Sequence, residues 1–205
     1  MRPVSTSPAW KARPAGAGYD ATRARLVDAA EAVVREEGVN ALRLDSVADS
    51  VGLHRSSVYR YFDSKEELIT AVVVQATFRI GRQVIDEVGE SAPPENLLVD
   101  GITTALAAMA ADPVHQALMA PAASEAMARI AGTAITEGIR PLVEPMFTAA
   151  AERGVLRPGV TPDDAIRWLQ IVVSGVIRSP NLVADNDQLR DLLRLMLVPA
   201  LIHRP

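Results

Sequence analysis

The apolar positions of this chain recur three and four apart in one stretch after another, and that pattern predicts an all-α protein. Leu44, Val47, Ala48 and Val51 give a short helix one apolar face, and Gly52 supplies the left-handed residue that ends it. Leu53 anchors the turn that follows. From about His54 or Arg55 to Phe62 a second helix buries Val58 and Phe62 and turns His54, Arg55, Ser56, Ser57, Tyr59 and Arg60 outward. Upstream, a helix starting near Asp20 or Thr22 places Leu26, Ala30, Val33 and Val34 on one face before Gly38 ends it. Downstream, Ser64 and Glu67 spell a capping box for a helix that no proline interrupts before Pro93, running through Leu68, Val72, Val73, Ala76 and Ile80 toward Val88. Such a rod can carry a shift from one end to the other.

Ser91-Ala92-Pro93-Pro94 breaks the chain, and helices are expected near 95–111, 114–119, 122–152 with a bend at Pro141 or Pro145, 162–179 and 187–203. Thr161-Pro162-Asp163-Asp164 combines a hydroxyl cap, proline at the first helical position and acids in the first turn. The last two helices are apolar on more than one side and must therefore be buried on more than one side. Nothing in the chain remains to cover the outer side except a second copy. Trp168, Val172, Val173, Val176, Ile177, Leu189, Leu193, Met196 and Leu197 are the expected interface, two helices from each subunit forming a two-fold four-helix contact.

The outward face of the second short helix is polar, basic and rich in hydroxyls, which suits a helix-turn-helix whose second helix enters the major groove. The residues that follow sharpen this. Tyr59, Phe62, Lys65 and Leu68 resemble the Y-x-x-F-x-x-K-x-x-L signature that closes the DNA-binding domain of the TetR family of bacterial transcriptional regulators. With Val47-Ala48, Gly52-Leu53 and Gly38, the resemblance covers about Thr22 to Val74. It implies an N-terminal three-helix helix-turn-helix domain, a larger C-terminal helical domain for ligand binding and dimerisation, and a homodimer on an inverted-repeat operator in double-stranded DNA. Repression, and release by a small apolar effector, are likewise what the resemblance implies. Arg43 and His54 depart from the family pattern, standing where small hydroxyl residues commonly cap the two helices of the motif. Both can carry positive charge toward DNA. The expected DNA-contacting set is Arg43, His54, Arg55, Ser56, Ser57, Tyr59, Arg60 and Lys65, with Lys65 on phosphate.

Charge supports the division of labour. The chain of 205 residues has a net charge of -4, yet residues 1–65 carry ten Lys or Arg against eight Asp or Glu, and residues 66–205 carry eleven against seventeen. A basic end is left to meet the phosphates while an acidic bulk keeps off them. Residues 1–18 read as a disordered basic arm, with Arg2, Lys11 and Arg13, joined by Arg23 and Arg25, able to follow a phosphate backbone. The helix-turn-helix domain is placed at 19–66 and the sensing and dimerisation domain at 67–205.

Composition narrows the chemistry. With no cysteine there are no disulfides or thiolate sites, and with 4% aromatic residues the core is Ala, Leu, Val and Ile. No signal peptide and no uninterrupted span of about twenty apolar residues is visible, so a cytoplasmic protein without a membrane partner is expected. His54, His115 and His203 form no metal spacing, and no phosphate loop or nucleophile elbow is present, so neither an enzyme, a cofactor nor a metal is expected. In the second domain Met109, Met119, Met127, Phe147 and Trp168 accompany a run of small residues including Ala105, Ala107 and Ala108, which suits an apolar ligand cavity as well as it suits core packing. Arg140, Arg167 and Arg178 are candidate anchors for an acidic ligand. The alternative is a helical DNA-binding protein that senses nothing, its second domain serving assembly or a protein partner.

Overall fold

The computed structural model describes residues 16–89, 92–119, 125–179, 181 and 183–203, with the side chains of 119, 125–128 and 131 outside the description. The arm residues Arg2, Lys11 and Arg13 and the break residue Ser91 lie outside the described residues. Helices follow one another as α1 Ala17–Glu37, α2 Leu44–Ser50, α3 Arg55–Val58, α4 Lys65–Val88, α5 Pro94–Ala111, α6 Pro113–Met119, α7 Glu125–Glu152, α8 Pro162–Arg178, α9 Asn186–Leu192 and α10 Val198–Leu201. A single antiparallel bridge, Leu156 to Ile202, is the one extended pairing among the described residues. The chain forms two compact units that meet in sequence at Val72 and Val73, inside α4.

The first unit is built around side chains that are fully or almost fully buried: Leu26, Leu42, Val47, Val58, Phe62 and Leu68. Gly38 and Gly52 stand at φ 84° and 74°, a conformation that side chains with a Cβ rarely adopt, and each closes a helix where the sequence placed the stop. Helix α1 starts at Ala17, a turn or so earlier than its pattern suggested, and α3 is one turn long with a turn continuing from Tyr59 through Tyr61. Tyr19 stacks on Tyr61 at 4.8 Å, and its hydroxyl donates to the Arg60 carbonyl at 3.3 Å, so the early start of α1 serves to brace the end of the reading segment.

At the start of α4 the Ser64 hydroxyl accepts from the Glu67 amide at 3.1 Å. Glu67 returns to the amide of Asp63, at 2.7 Å, one residue earlier than a standard box. By length and mean hydropathy α4 could cross a membrane, but half of that stretch is buried inside the protein, as befits a core helix.

The second unit packs α5, α7, α8 and the C-terminal helices around Leu98, Val99, Ile102, Phe147, Ile166, Leu189, Leu193, Leu197 and Leu201. Thr161 caps α8 as expected, and with Asp164 it forms a full capping box, with Pro162 at the first helical position. Both Pro141 and Pro145 sit within α7. A Cβ on Gly138 would come within 2.7 Å of the Val74 carbonyl and 2.8 Å of Thr77 Cβ, and one on Gly81 within 2.6 Å of Ile139 and Leu142 side-chain carbons. Glycine on each helix is what lets α4 and α7 approach so closely.

The C-terminal segment departs from the single helix expected over 187–203. After α9, Leu193–Leu197 form a π turn, in which the Val198 amide donates to the carbonyl of Leu193, five residues back. Pro199 has no amide hydrogen to return to the carbonyl four residues earlier, and the helix widens there. The tail then lies along the 155–157 loop, the Arg157 amide donating to Leu201 O and the His203 amide to Val155 O, each at 2.8 Å.

Candidate nucleic-acid interface and ligand cavity

The short helix α3 is held by its own side chains. His54, placed where a hydroxyl cap is usual, accepts through Nδ1 from the Ser56 amide at 3.3 Å and lies 2.8 Å from the Ser56 hydroxyl, so the imidazole does the capping. Arg43 makes no such bond at α2 and remains exposed. His54, Arg55, Ser56, Tyr59 and Arg60 are exposed and Ser57 half-buried, while Val58 and Phe62 are wholly buried beneath them. The apolar underside and polar outer side therefore fall as the spacing requires. Lys65 donates to the Asn40 carbonyl at 3.3 Å, which places its ammonium beside the turn that leads into α2.

Two arginines have inward duties instead of a free run to phosphate. The Arg23 guanidinium lies 4.9 Å from the centre of the Phe62 ring, and Arg25 donates to the Val51 carbonyl at 2.8 Å. Both tie α1 to the reading motif. Arg55 pairs with Asp45 at 2.8 Å, and Asp45 turns its other carboxylate oxygen into the protein, where it is buried without a hydrogen-bond partner among the described residues. No local pattern signals this pair, because Asp45 reads as a first-turn acid of α2.

In the second unit a cavity of about 600 Å³ is bounded by α4, α5, α7 and α8, a size suited to a small-molecule ligand. Its walls are mostly aliphatic: Ile80, Val84, Ile102, Leu106, Ile139 and Leu142 among them. Met109 and Phe147 line it as expected. Trp168 does not belong to the lining and stands 43% exposed on the outside of α8, so its assignment to the cavity is corrected. The Met119 and Met127 side chains lie outside the described residues.

Arg140, Arg167 and Arg178 are also corrected as anchors, since none lines the cavity. Arg140 bonds Asp163 at 2.6 Å and Glu144 at 3.1 Å, and the Asp163 bond leads the effects that raise its pKa. Arg167 pairs with Asp164 at 3.4 Å. The Asp164 carboxyl is held below its ordinary value chiefly by the Thr161 hydroxyl of the capping box.

Beside the cavity lies a buried polar chain that sequence reasoning passed over. His115 has no exposed surface; its Nδ1 is 2.9 Å from Asp112 Oδ1 and its Nε2 is 3.0 Å from the hydroxyl of Thr77, a cavity-lining residue of α4. Asp112 also caps α6 through the amides of Val114 and His115 and pairs with Arg79 at 3.3 Å. Burial pushes the Asp112 carboxyl up, but its bonds from the His115 side chain and backbone, with the nearby positive charge, leave it below the usual carboxylate value. Asp and His three residues apart at a helix start were a visible signal. Thr77, far away in sequence, was not.

Of the residues expected at a dimer face, Trp168 and Met196 are exposed. Leu189, Leu193 and Leu197 are 6%, 3% and 2% exposed and pack into their own subunit's core, which corrects their assignment to an interface. Val173 lines the cavity, and Val172, Val176 and Ile177 are half-buried. On α8 and the C-terminal segment the described large apolar side chains open to solvent are Trp168 and Ile171 with Leu192, Leu195 and Met196, and Phe78 on α4 is exposed as well.

Comparison with known proteins agrees with this architecture. Residues 26–72 match the model of bacterial regulatory proteins of the tetR family. An uncharacterised HTH-type transcriptional regulator of Mycobacterium tuberculosis is 35% identical over 82 residues, 40% of this chain and 41% of that protein. SrpR of Pseudomonas putida, also an HTH-type transcriptional regulator, is 39% identical over 62 residues, 30% of this chain and 29% of its own. The chain thus matches about two fifths or less of the length of these relatives. The crystal structure of RolR with resorcinol superimposes with a TM-score of 0.67 at 17% identity, covering 88% of each chain, a likeness of fold. Both sequence relatives carry the description of HTH-type transcriptional regulators. The helix-turn-helix motif and the segment that closes it are thus similar to those of the TetR family of bacterial regulatory proteins.

Proposed function

We infer that this protein is a transcriptional repressor that binds an inverted-repeat operator as a homodimer and is released by a small apolar molecule held in the second unit. The observation that carries this reading is that one helix has both ends of the business on it. Helix α4 presents Lys65 in its first turn, beside the reading motif, and forms a wall of the cavity from Thr77 to Val88. The neighbouring fold of RolR, solved with resorcinol, supports a ligand in such a unit.

On DNA, Arg55, Ser56, Ser57, Tyr59 and Arg60 face the major groove while Arg43, His54 and Lys65 meet the backbone. A one-turn helix offers too few base contacts for a selective site, and two heads fixed by one dyad read half-sites about 34 to 36 Å apart, or a multiple of that. The exposed row of Trp168, Ile171, Leu192, Leu195 and Met196 is the face that a second copy covers.

Linkage supplies the test. An effector that lowers operator affinity by some factor must itself be weakened by operator DNA by the same factor. Titrating a bound apolar compound by calorimetry, with and without saturating operator, is expected to show that loss. Equal affinities in the two titrations would rule out release by that ligand.

A further inference from the structure

We propose that the ligand of this cavity is an anionic amphipath, a long apolar body ending in a carboxylate or phosphate head, with the head received at Arg82 or Arg153, the charged side chains among the described lining residues. The proposal rests on the reading of the cavity as the effector site and adds the charge and shape of what it takes. The second part of the chain is acidic, with seventeen Asp or Glu against eleven Lys or Arg over residues 66–205. A cavity wall drawn at random from it would include carboxylates. Yet among the described residues that line the cavity the charged ones are Arg82 and Arg153, and no Asp or Glu is among them.

The rest of the wall sorts by chemistry. Aliphatic side chains such as Ile80, Val84, Leu98, Leu106, Ile139 and Leu142 supply the greater part, suited to a chain or other apolar body. Thr136, Gln170 and Ser174 add neutral hydrogen-bonding groups and no charge. Both arginines lie toward solvent, where a charged head can keep part of its hydration. Arg153 is exposed, and its hydrogen bond from Nε to the Ala149 carbonyl at the end of α7 leaves the terminal guanidinium nitrogens without a carboxylate among the described residues. Arg82 is half exposed and meets Asp86 only at 3.7 Å, a loose surface pair that a ligand head can displace. Guanidinium donors in a planar fork suit carboxylate and phosphate alike. A cationic amphipath would find positive charge at either arginine and no carboxylate among the described lining residues, and a neutral one would leave both arginines unused.

The test uses probes of one chain length and different heads: dodecanoate, dodecyl phosphate, dodecanol and dodecylamine, each below its micelle concentration, titrated by calorimetry into the full chain. Dodecanoate, dodecyl phosphate or both are expected to bind about tenfold more tightly than dodecanol, and dodecylamine more weakly than dodecanol. Whichever anion leads identifies the head. The double variant Arg82→Ala with Arg153→Ala is expected to erase the anion preference while keeping dodecanol affinity, which also shows that the variant is folded. The double replacement by Lys is expected to recover most of it. Dodecanol binding as tightly as both anions, or a preference that survives the double alanine variant, overturns the proposal and leaves the apolar effector site standing. If none of the probes binds, both readings fall.

Discussion

The two units of this protein treat apolar surface in opposite ways. Up to Val72 the large aliphatic and aromatic core residues are buried almost completely, and the one conspicuous exposed aromatic, Tyr59, lies on the face assigned to DNA. From Val73 onward the apolar residues leave an open cavity on the inside and an uncovered row of Trp168, Ile171, Leu192, Leu195 and Met196 on the outside. A domain that needs only to hold a rigid shape can close its core. One that, on the proposed function, admits a ligand and a second copy leaves apolar surface uncovered at both places.

The contrast between inner and outer rows of the C-terminal segment can be broken most directly. Leu193→Ala is expected to lower unfolding free energy by about 2 to 5 kcal/mol, because a buried leucine leaves a cavity behind. Met196→Glu, one turn away and 65% exposed, should leave stability within about 0.5 kcal/mol and, on the proposed assembly, convert dimer to monomer. Urea denaturation and sedimentation of the two variants separate the roles; an unstable, still dimeric Met196→Glu would reverse the assignment.

The buried polar chain comes next in size. His115→Ala removes the partner of both Asp112 and Thr77 and should cost about 2 to 3 kcal/mol. The Asp112 carboxyl is depressed on folding, so its stabilisation is fully present above the ordinary carboxylate pKa and is lost as pH falls through the lowered folded value. Acid unfolding between neutral pH and about pH 3 should therefore steepen below about pH 4. In Asp112→Asn that extra loss should be absent from the same titration.

On the reading face the expected effects divide by role. Arg55→Ala frees Asp45 and removes a base-directed donor, which should cost about 1 to 3 kcal/mol at the best site and flatten base preference. Lys65→Ala should weaken all sequences alike and reduce the salt slope by about one unit. Binding curves on a panel of operator variants at several salt concentrations distinguish the two. A match between the two variants in both measures would place Arg55 on the backbone. The smallest change is at the cap: His54→Ala should cost about 1 kcal/mol of stability, and His54→Asn should restore most of it if capping is what the imidazole supplies.

How far the sequence could be read follows the same divide. The helix-turn-helix was legible because its geometry demands particular residues at short range: Gly52 and Gly38 with positive φ, Val58 and Phe62 inward, hydroxyls and cations outward. Thr161 and Asp164 were equally local. The inner and outer rows of the C-terminal segment were confused because both are apolar, so periodicity could not tell core from interface, and the widened turn at Leu193–Leu197 altered the phase on which the sides were assigned. The Asp45 to Arg55 and Thr77 to His115 pairs depend on how the chain folds back on itself, which no local pattern records.

The widened turn also sets the shape of whatever lies on the outer row. In an ordinary α-helix residues four apart advance by roughly 40° around the axis, so a row with that spacing winds, and a partner following it must coil. Here Leu189, Leu193, Leu197 and Leu201, each four apart, all remain buried, because the wide turn takes back the drift. Leu192 and Met196, also four apart, both remain outward. Across that turn the outer side keeps its phase, and Leu192, Leu195 and Met196 stay together as one apolar patch.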